Sequence, residues 1–292
     1  ISLLYNINEL KKEINFKVKD VKIFENVIIP KGYLFKVEPG TNITFYENGK
    51  ILSYSPISFI GTKENPIKIS SFKKENLNSN FLNNNSITVL NAQNKSIIEN
   101  SNFIDVIGPA DGKANGISGF LNFYNSKILI KDSFFKKNYQ SDDFINIIKS
   151  DFEIINTNIY DSFSDSIDID FSNGYIKNTN IYNPGNDAFD FSGSVVEIKN
   201  SYAEKVKDKV VSAGEKSLIK IIDLSAKEEP GTIDVDGGPI DADLMNNPLD
   251  LARAYIEMGD FKAAEAQLVR VIATGNSGEV REAEQLMRQL PS

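Results

Sequence analysis

The chain has 292 residues, 41% of them hydrophobic and 25% charged, with 32 Lys and Arg against 40 Asp and Glu, a net charge of −8, and neither cysteine nor histidine. That size and balance suit a soluble protein of two domains. Without cysteine or histidine, disulfides, thiolate and imidazole metal sites, and Ser–His or Cys–His nucleophile pairs are excluded. The acidic balance argues against a nucleic-acid partner, whose phosphates favour a basic surface, and leaves Ca²⁺ and neutral or cationic ligands. No run of about eighteen apolar residues marks a membrane span. The opening ISLLYNINELKK lacks the pattern of a secretion signal, and a start at Ile1 without methionine reads as a processed or truncated product.

In chain order, residues Asn6 to Glu13 form an expected short amphipathic helix that covers the open end of a stack of strands. The runs VIIP, YLFKVEPG, NITFY, KILSYS, ISFIG and PIKISS then alternate or cluster apolar residues between Pro, Gly and Asn turns, which is strand grammar. The stretch Ile107 to Gly116 reads as a loop pushed out between coils.

Three later segments repeat one another: DDFINIIKSDFEIINTNIYDSF, SDSIDIDFSNGYIKNTNIYNPG and NDAFDFSGSVVEIKNSYAEKVK. Asp143, Asp165 and Asp187 recur every 22 residues, as do Asn146, Asp168 and Asp190, and Ile154, Ile176 and Ile198. A period near 22 that carries short β-branched runs matches one coil of a right-handed parallel β-helix, expected over residues 1–226. A leucine-rich repeat of similar length would need a leucine pattern that is absent. Two residues after each of those isoleucines come Asn156, Asn178 and Asn200, and the series extends to Asn100, Asp132 and Asp223. Stacked about 4.8 Å apart, these would form a ladder whose amides satisfy polar groups at a tight buried corner.

Strand parity places Ile167, Ile169 and Phe171 inward with Phe189 and Phe191 above them, and Ser166, Asp168 and Asp170 outward with Asp190 above Asp168. Like charges that close demand a cation or a shared proton. Asp168, Asp170 and Asp190, with Asn146 below, are therefore the candidate patch: a Ca²⁺ site, a ligand-binding site through Asn146, Asp168 and Asp190, or a proton-sharing acid pair. The alternative is a polar outer face of turn-forming aspartates. Tyr160, Tyr182 and Tyr202 recur at near-equivalent places, either as an outer stack for sugar rings or as core packing.

Composition then changes. The first 226 residues contain no arginine, and Arg253, Arg270, Arg281 and Arg288 all lie in the last forty. Residues 227–247 read as an acidic Gly/Pro linker, and residues 248–292 as three helices: PLDLARAYIEMG, FKAAEAQLVRVIATG and SGEVREAEQLMRQL. Pro248 suits a first turn, Ser277 an N-cap, and Gly259 and Gly275 left-handed helix ends. A natural two-domain protein and a fusion of unrelated segments both fit the contrast.

Through IPKGYLFKVEPGTNITF, KILSYSPISFIGTKENPI, SDSIDIDFSNG, NDAFDFSGS and DKVVSAGEKS, residues 20 to 225 resemble the pectin-lyase-like β-helix surface proteins, especially a group found with CotH-kinase-type proteins. That resemblance implies an extracellular or cell-envelope location and a scaffold, an adhesin or a carbohydrate-active enzyme. The lyases of this class pair Ca²⁺ with a Lys or Arg base, a role that would fall here to Lys149 or Lys209. The helical segment, with A252-x-x-Y255-x-x-x-G259-D260-F261-x-x-A264, resembles a tetratricopeptide (TPR) repeat. Taken whole, it is similar to the C-terminal region of FimV-type pilus-assembly proteins, which implies protein binding through residues 248–292. The alternative is a helical cap on the last coil. The expected function is a non-enzymatic scaffold with glycan or calcium binding; the rival is a polysaccharide lyase or hydrolase that uses Asp168, Asp170 and Asp190.

Overall fold

The computed structural model describes residues 4–73, 84–110, 118–227 and 232–234, and in the C-terminal region residues 249, 252, 256, 261–275, 277–288 and 290. From Glu13 the chain winds into a parallel β-solenoid of about nine turns with three faces. The first face is a nine-stranded sheet that runs in sequence order from Val27–Ile29 to Thr232–Asp234. The second climbs from Glu13–Phe16 through Ile128–Lys131, Asp151–Ile155 and Asn173–Lys177; the third climbs from Asp20–Ile23 through Phe134–Asn138, Asn158–Tyr160 and Asn180–Tyr182. The long strands Val195–Glu204 and Leu218–Lys227 cross both.

Register turns the 22-residue recurrence into columns. Ile98, Ile130, Ile154, Ile176, Ile198 and Ile221 stand in one file, as do Ile145, Ile167, Phe189 and Val211. Most of these side chains are fully buried, and each contributes roughly 1.5–3 kcal/mol through removal from water.

Corners are made with left-handed residues. Asn100, Asp132, Asn156, Asn178, Asn200 and Asp223 all have positive φ and stand between the second and third faces. Asn and Asp tolerate that conformation because a short polar side chain bonds locally. The Nδ2 of Asn178 donates to Asn156 Oδ1 at 2.9 Å, and Asn156 Nδ2 donates to Asp132 Oδ1 at 2.9 Å. This ladder differs from expectation in one respect: Asn156, Asn178 and Asn200 are exposed, so they do not satisfy a buried corner. The next residue of each coil does that. Ser101, Ser133, Thr157, Thr179 and Ser201 are buried, and the hydroxyls of Ser133, Thr157, Thr179 and Ser201 donate to the carbonyl two residues back. A second buried ladder joins the first and second faces: Ser126, Ser150, Ser172 and Ser194 each donate their N–H to the hydroxyl of Ser150, Ser172, Ser194 and Ser217 in the coil above, at 2.9–3.1 Å.

Elsewhere the sequence reading needs correction. Asn6 to Glu13 is not a helix: Tyr5–Asn8 is a strand that pairs with Glu13–Phe16, the only antiparallel pairing among the described strands. The turn between them is held by Asn8 Oδ1, which accepts Lys11 N–H at 3.0 Å. Of the expected loop Ile107 to Gly116, residues 111–116 lie outside the described residues. Within 227–247, Thr232–Asp234 is a strand that adds to the nine-stranded sheet through Ile233 opposite Val211; the rest of that stretch, beyond Lys227, lies outside the described residues.

Two C-terminal helices span Phe261–Thr274 and Ser277–Met287. Of the helix expected before them, Leu249, Ala252 and Ile256 are helical, and Pro248 and Gly259 lie outside the described residues. Gly275 does not take a left-handed φ; it is needed because a Cβ there would meet Val271 O at 2.7 Å. Ala264 is buried in a cluster with Val195, against which Leu218, Ile256 and Leu290 pack. No described helix is long and apolar enough to cross a membrane.

Ser172→Ala tests the buried hydroxyl ladder. It removes the acceptor of Ser150 N–H and the donor to Asp170 O, so urea denaturation should show a loss of about 1–3 kcal/mol. Phe171→Ser, one residue earlier on an exposed corner, should lose less.

Candidate functional site

The acid patch lies on the nine-stranded face, where register aligns Asn122, Asn146, Asp168, Asp190 and Ser212. Asp168 stands opposite Asp190, and Asn146 Nδ2 donates to Asp168 Oδ2 at 2.7 Å. Asp170 is two residues on, opposite Ser192. The structure thus brings together Asn146, Asp168 and Asp190 in one file and sets Asp170 beside them.

Strict alternation fails at the start of these strands. Phe144 and Ile145 are both in the core, as are Ala188 and Phe189, and Ser166 and Ile167 are both fully buried. The chain is still turning its corner there, so two consecutive residues face inward. Ser166 is therefore inside, its hydroxyl 2.8 Å from that of Ser162, and not outward as parity implied. The extra inward residue carries Asp143, Asp165 and Asp187 to the same side as Asn146 and Asp168, and Asn146 Nδ2 also reaches Asp143 Oδ2 at 3.2 Å. At the other end the strand stops at Asp170, and Phe171 sits on a left-handed corner at φ 49°, 48% exposed, instead of packing inward.

The site is consequently larger than Asp168, Asp170 and Asp190. Asp143, Asp165 and Asp187 are buried at 2%, 8% and 3% exposure. Their recurrence was visible in the sequence; their position was hidden by the parity change. Asp165 Oδ1 accepts Asn186 Nδ2 at 2.8 Å and Asp187 N–H at 2.7 Å, and Asp187 Oδ1 accepts Lys209 N–H at 2.7 Å.

Crowding and burial decide the charge state. Burial pushes the Asp143 carboxyl well above the usual carboxylate range, and Asp165 and Asp142 add repulsion that hydrogen bonds from Ser118 and Asn146 only offset. Burial raises Asp168 likewise, with Asp143, Asp170 and Asp190 repelling the charged form. Asp165 is raised to about 7, chiefly by burial, and Asp170 to about 6 by burial and the charges of Asp190 and Glu215. The cluster therefore holds protons near neutrality.

Its chemistry is that of an acid reservoir with oxygen ligands. Carboxylate oxygens of Asp142, Asp143 and Asp165 come within 4.8 Å of one another, a donor set suited to a hard cation such as Ca²⁺ once ionised. The expected trio Asp168, Asp170 and Asp190 is not among such groups in the described residues. Of the two lysines considered as bases, Lys149 Nζ lies 6.0 Å from the Tyr124 ring centroid, and Lys209 Nζ lies 2.9 Å from Asp208 Oδ2 while its charge also acts on Asp187.

On the third face, Tyr160 and Tyr182 are partly exposed and stack at 4.5 Å with rings 8° from parallel. Phe134 lies 5.3 Å below and Tyr202 5.7 Å above, both tilted. Tyr202 stands two residues off that file: Glu204 is opposite Tyr182, while Tyr202 is opposite Asn180 and its hydroxyl donates to Glu204. In the neighbouring file, between Phe134 below and Tyr202 above, Asn180 Nδ2 donates to Asn158 Oδ1 at 2.9 Å.

No known protein family, curated protein or solved structure matches the chain.

The buried carboxyls set a pH dependence. An unfolded Asp titrates at about 3.9, so between there and about 7 the folded chain keeps a proton on Asp165 that the unfolded chain has released. That contribution to stability is complete below about pH 4 and is lost as pH rises towards 7. Asp165→Asn keeps the Oδ1 acceptor and removes the charge. It should stabilise the protein by about 1–4 kcal/mol at pH 8 and leave it unchanged at pH 3.5, measured by chemical denaturation at both values; an equal gain at both would refute the proton-holding assignment.

Proposed function

We propose that the chain is a non-enzymatic extracellular or cell-envelope scaffold whose solenoid binds a neutral glycan along its third face. The observation that carries this is the outward stack of Tyr160 and Tyr182, continued by Phe134 and Tyr202 and flanked by the amides of Asn158 and Asn180. Aromatic faces take the apolar faces of sugar rings, amides take their hydroxyls, and a flat strip built on strands is preorganised for an extended chain. The helical tail, read as a TPR-like or FimV-like module, is the protein-binding part of the same proposal. Partly exposed Phe261, Val269 and Ile272 support it, as does the docking of Ala264 against the solenoid that holds the tail in place.

A glycan array followed by calorimetry on the best neutral oligosaccharide tests the strip. The double variant Tyr160→Ala/Tyr182→Ala should weaken binding about tenfold or more while the fold is kept, because both rings lie outside the core. Binding that survives the double variant unchanged, or no glycan bound at all, counts against it.

The acid face favours one rival. Asp170 and Asp165, raised to about 6 and about 7, are partly protonated near neutrality, as a general acid of a polysaccharide hydrolase or lyase must be. Release of sugar or uronate products from charged polysaccharides, abolished by Asp168→Ala, would establish the enzyme. Absence of turnover across such a panel would leave the scaffold.

A further inference from the structure

At the corner between the first and second faces, the coils that turn at Asn125, Lys149, Phe171 and Gly193 each use a single left-handed residue followed by a buried serine. The lower coils turn more widely, through Pro30 to Tyr33 and through Asn91 to Lys95, and the hairpin turn at Lys11 and Lys12 stands beside them. The result is an open recess of about 610 Å³, within the size range of small-molecule sites, lined by Lys11, Lys12, Lys31, Lys95, Tyr33 and Tyr54 among others.

The wall is built before any ligand arrives. Glu9 receives Lys12 Nζ at 2.8 Å and the Tyr33 hydroxyl at 2.9 Å, and Lys12 Nζ lies 5.3 Å from the Tyr33 ring centroid. Ser55 ties two coils together by accepting Tyr33 N–H at 3.0 Å and donating to Pro30 O at 2.6 Å. Lys95 is held by Glu153 at 2.6 Å. Lys11 and Lys31 have no acidic partner among the described residues. Of the four lining lysines, Lys12 and Lys95 are paired with carboxylates and Lys11 and Lys31 are not, in a chain whose net charge is −8.

We propose that this recess binds a phosphate monoester carried on a ring, with a sugar phosphate as the ligand class. A monoester bears about −1.5 to −2 charge at pH 7, which suits the two lysines left without an acidic partner, whereas a uronate bears one charge. Lysines are mobile point charges that can approach a tetrahedral oxyanion from several sides; a planar carboxylate is better met by the arginine fork, which is absent from this domain. Tyr54, 36% exposed, offers a face for the ring that carries the phosphate.

The test is titration of the full chain with glucose 6-phosphate, inorganic phosphate, glucose and galacturonate, followed by calorimetry and backbone amide NMR. Glucose 6-phosphate should shift the amides of Gly32, Tyr33 and Asn94 and bind at least tenfold more tightly than galacturonate, more weakly as salt rises. Lys11→Gln/Lys31→Gln should weaken it tenfold or more, and Lys177→Gln, outside the recess, should not. Tyr54→Ala should weaken glucose 6-phosphate and spare inorganic phosphate. The proposal is overturned by no binding of glucose 6-phosphate at millimolar concentration, by equal affinity for galacturonate, or by a double lysine variant that binds as the parent does.

Discussion

Parallel stacking is the constraint on which the rest depends. Each strand finds its hydrogen-bond partners only in the coils above and below, so every corner must turn the backbone sharply without stranding its N–H and C=O groups. Here the solution is a pair of residues. The first, often Asn or Asp, takes the left-handed conformation; the second, Ser or Thr at most turns, goes inside and bonds the carbonyl it has just passed. Because the pair repeats at one height per coil, its side chains also bond one another vertically, and the corners become ladders of their own.

The same stacking makes the acid face a problem that most folds never meet. In-register repetition places every outward residue beside its equivalent, so an aspartate used once is used again a strand spacing away. Asn146 beneath Asp168 relieves one step by donating to it. Where carboxyls crowd carboxyls, retained protons do the same work, in keeping with the upward shifts of Asp143, Asp165 and Asp168. Outward aromatic residues meet no such conflict. Tyr160 and Tyr182 gain from stacking, and the lower lysines are spread around a widened corner.

The two ends are treated differently. At the start, an antiparallel strand folds back over the first coil and occupies its edge. Towards the other end, the helical segment packs beside the last coils at Val195 and Leu218, burying Ala264 and giving a short helical unit the support that it lacks alone. A change from Asn- and Ile-rich to Ala-, Glu- and Arg-rich composition is thus compatible with physical contact between the parts.

What the sequence by itself determined is whatever repeats. A 22-residue period of β-branched residues has one economical stacking, so the solenoid, the isoleucine columns, the Asn and Asp corners and the vertical pairing of Asp168 with Asp190 were all legible. Only the tertiary structure decided the places where repetition breaks. Parity counting cannot see a corner that sends Phe144 and Ile145 inward together, so it set Ser166 on the wrong side, missed Asp143, Asp165 and Asp187 as members of the acid face, and buried Phe171. The N-terminal hairpin replaced a helix because the open edge of the first coil supplies hydrogen-bond partners that the local sequence pattern does not reveal. The recess at Lys11, Lys31 and Lys95 joins residues 84 positions apart, a proximity made by stacking coils whose turns differ in width and written in no local motif.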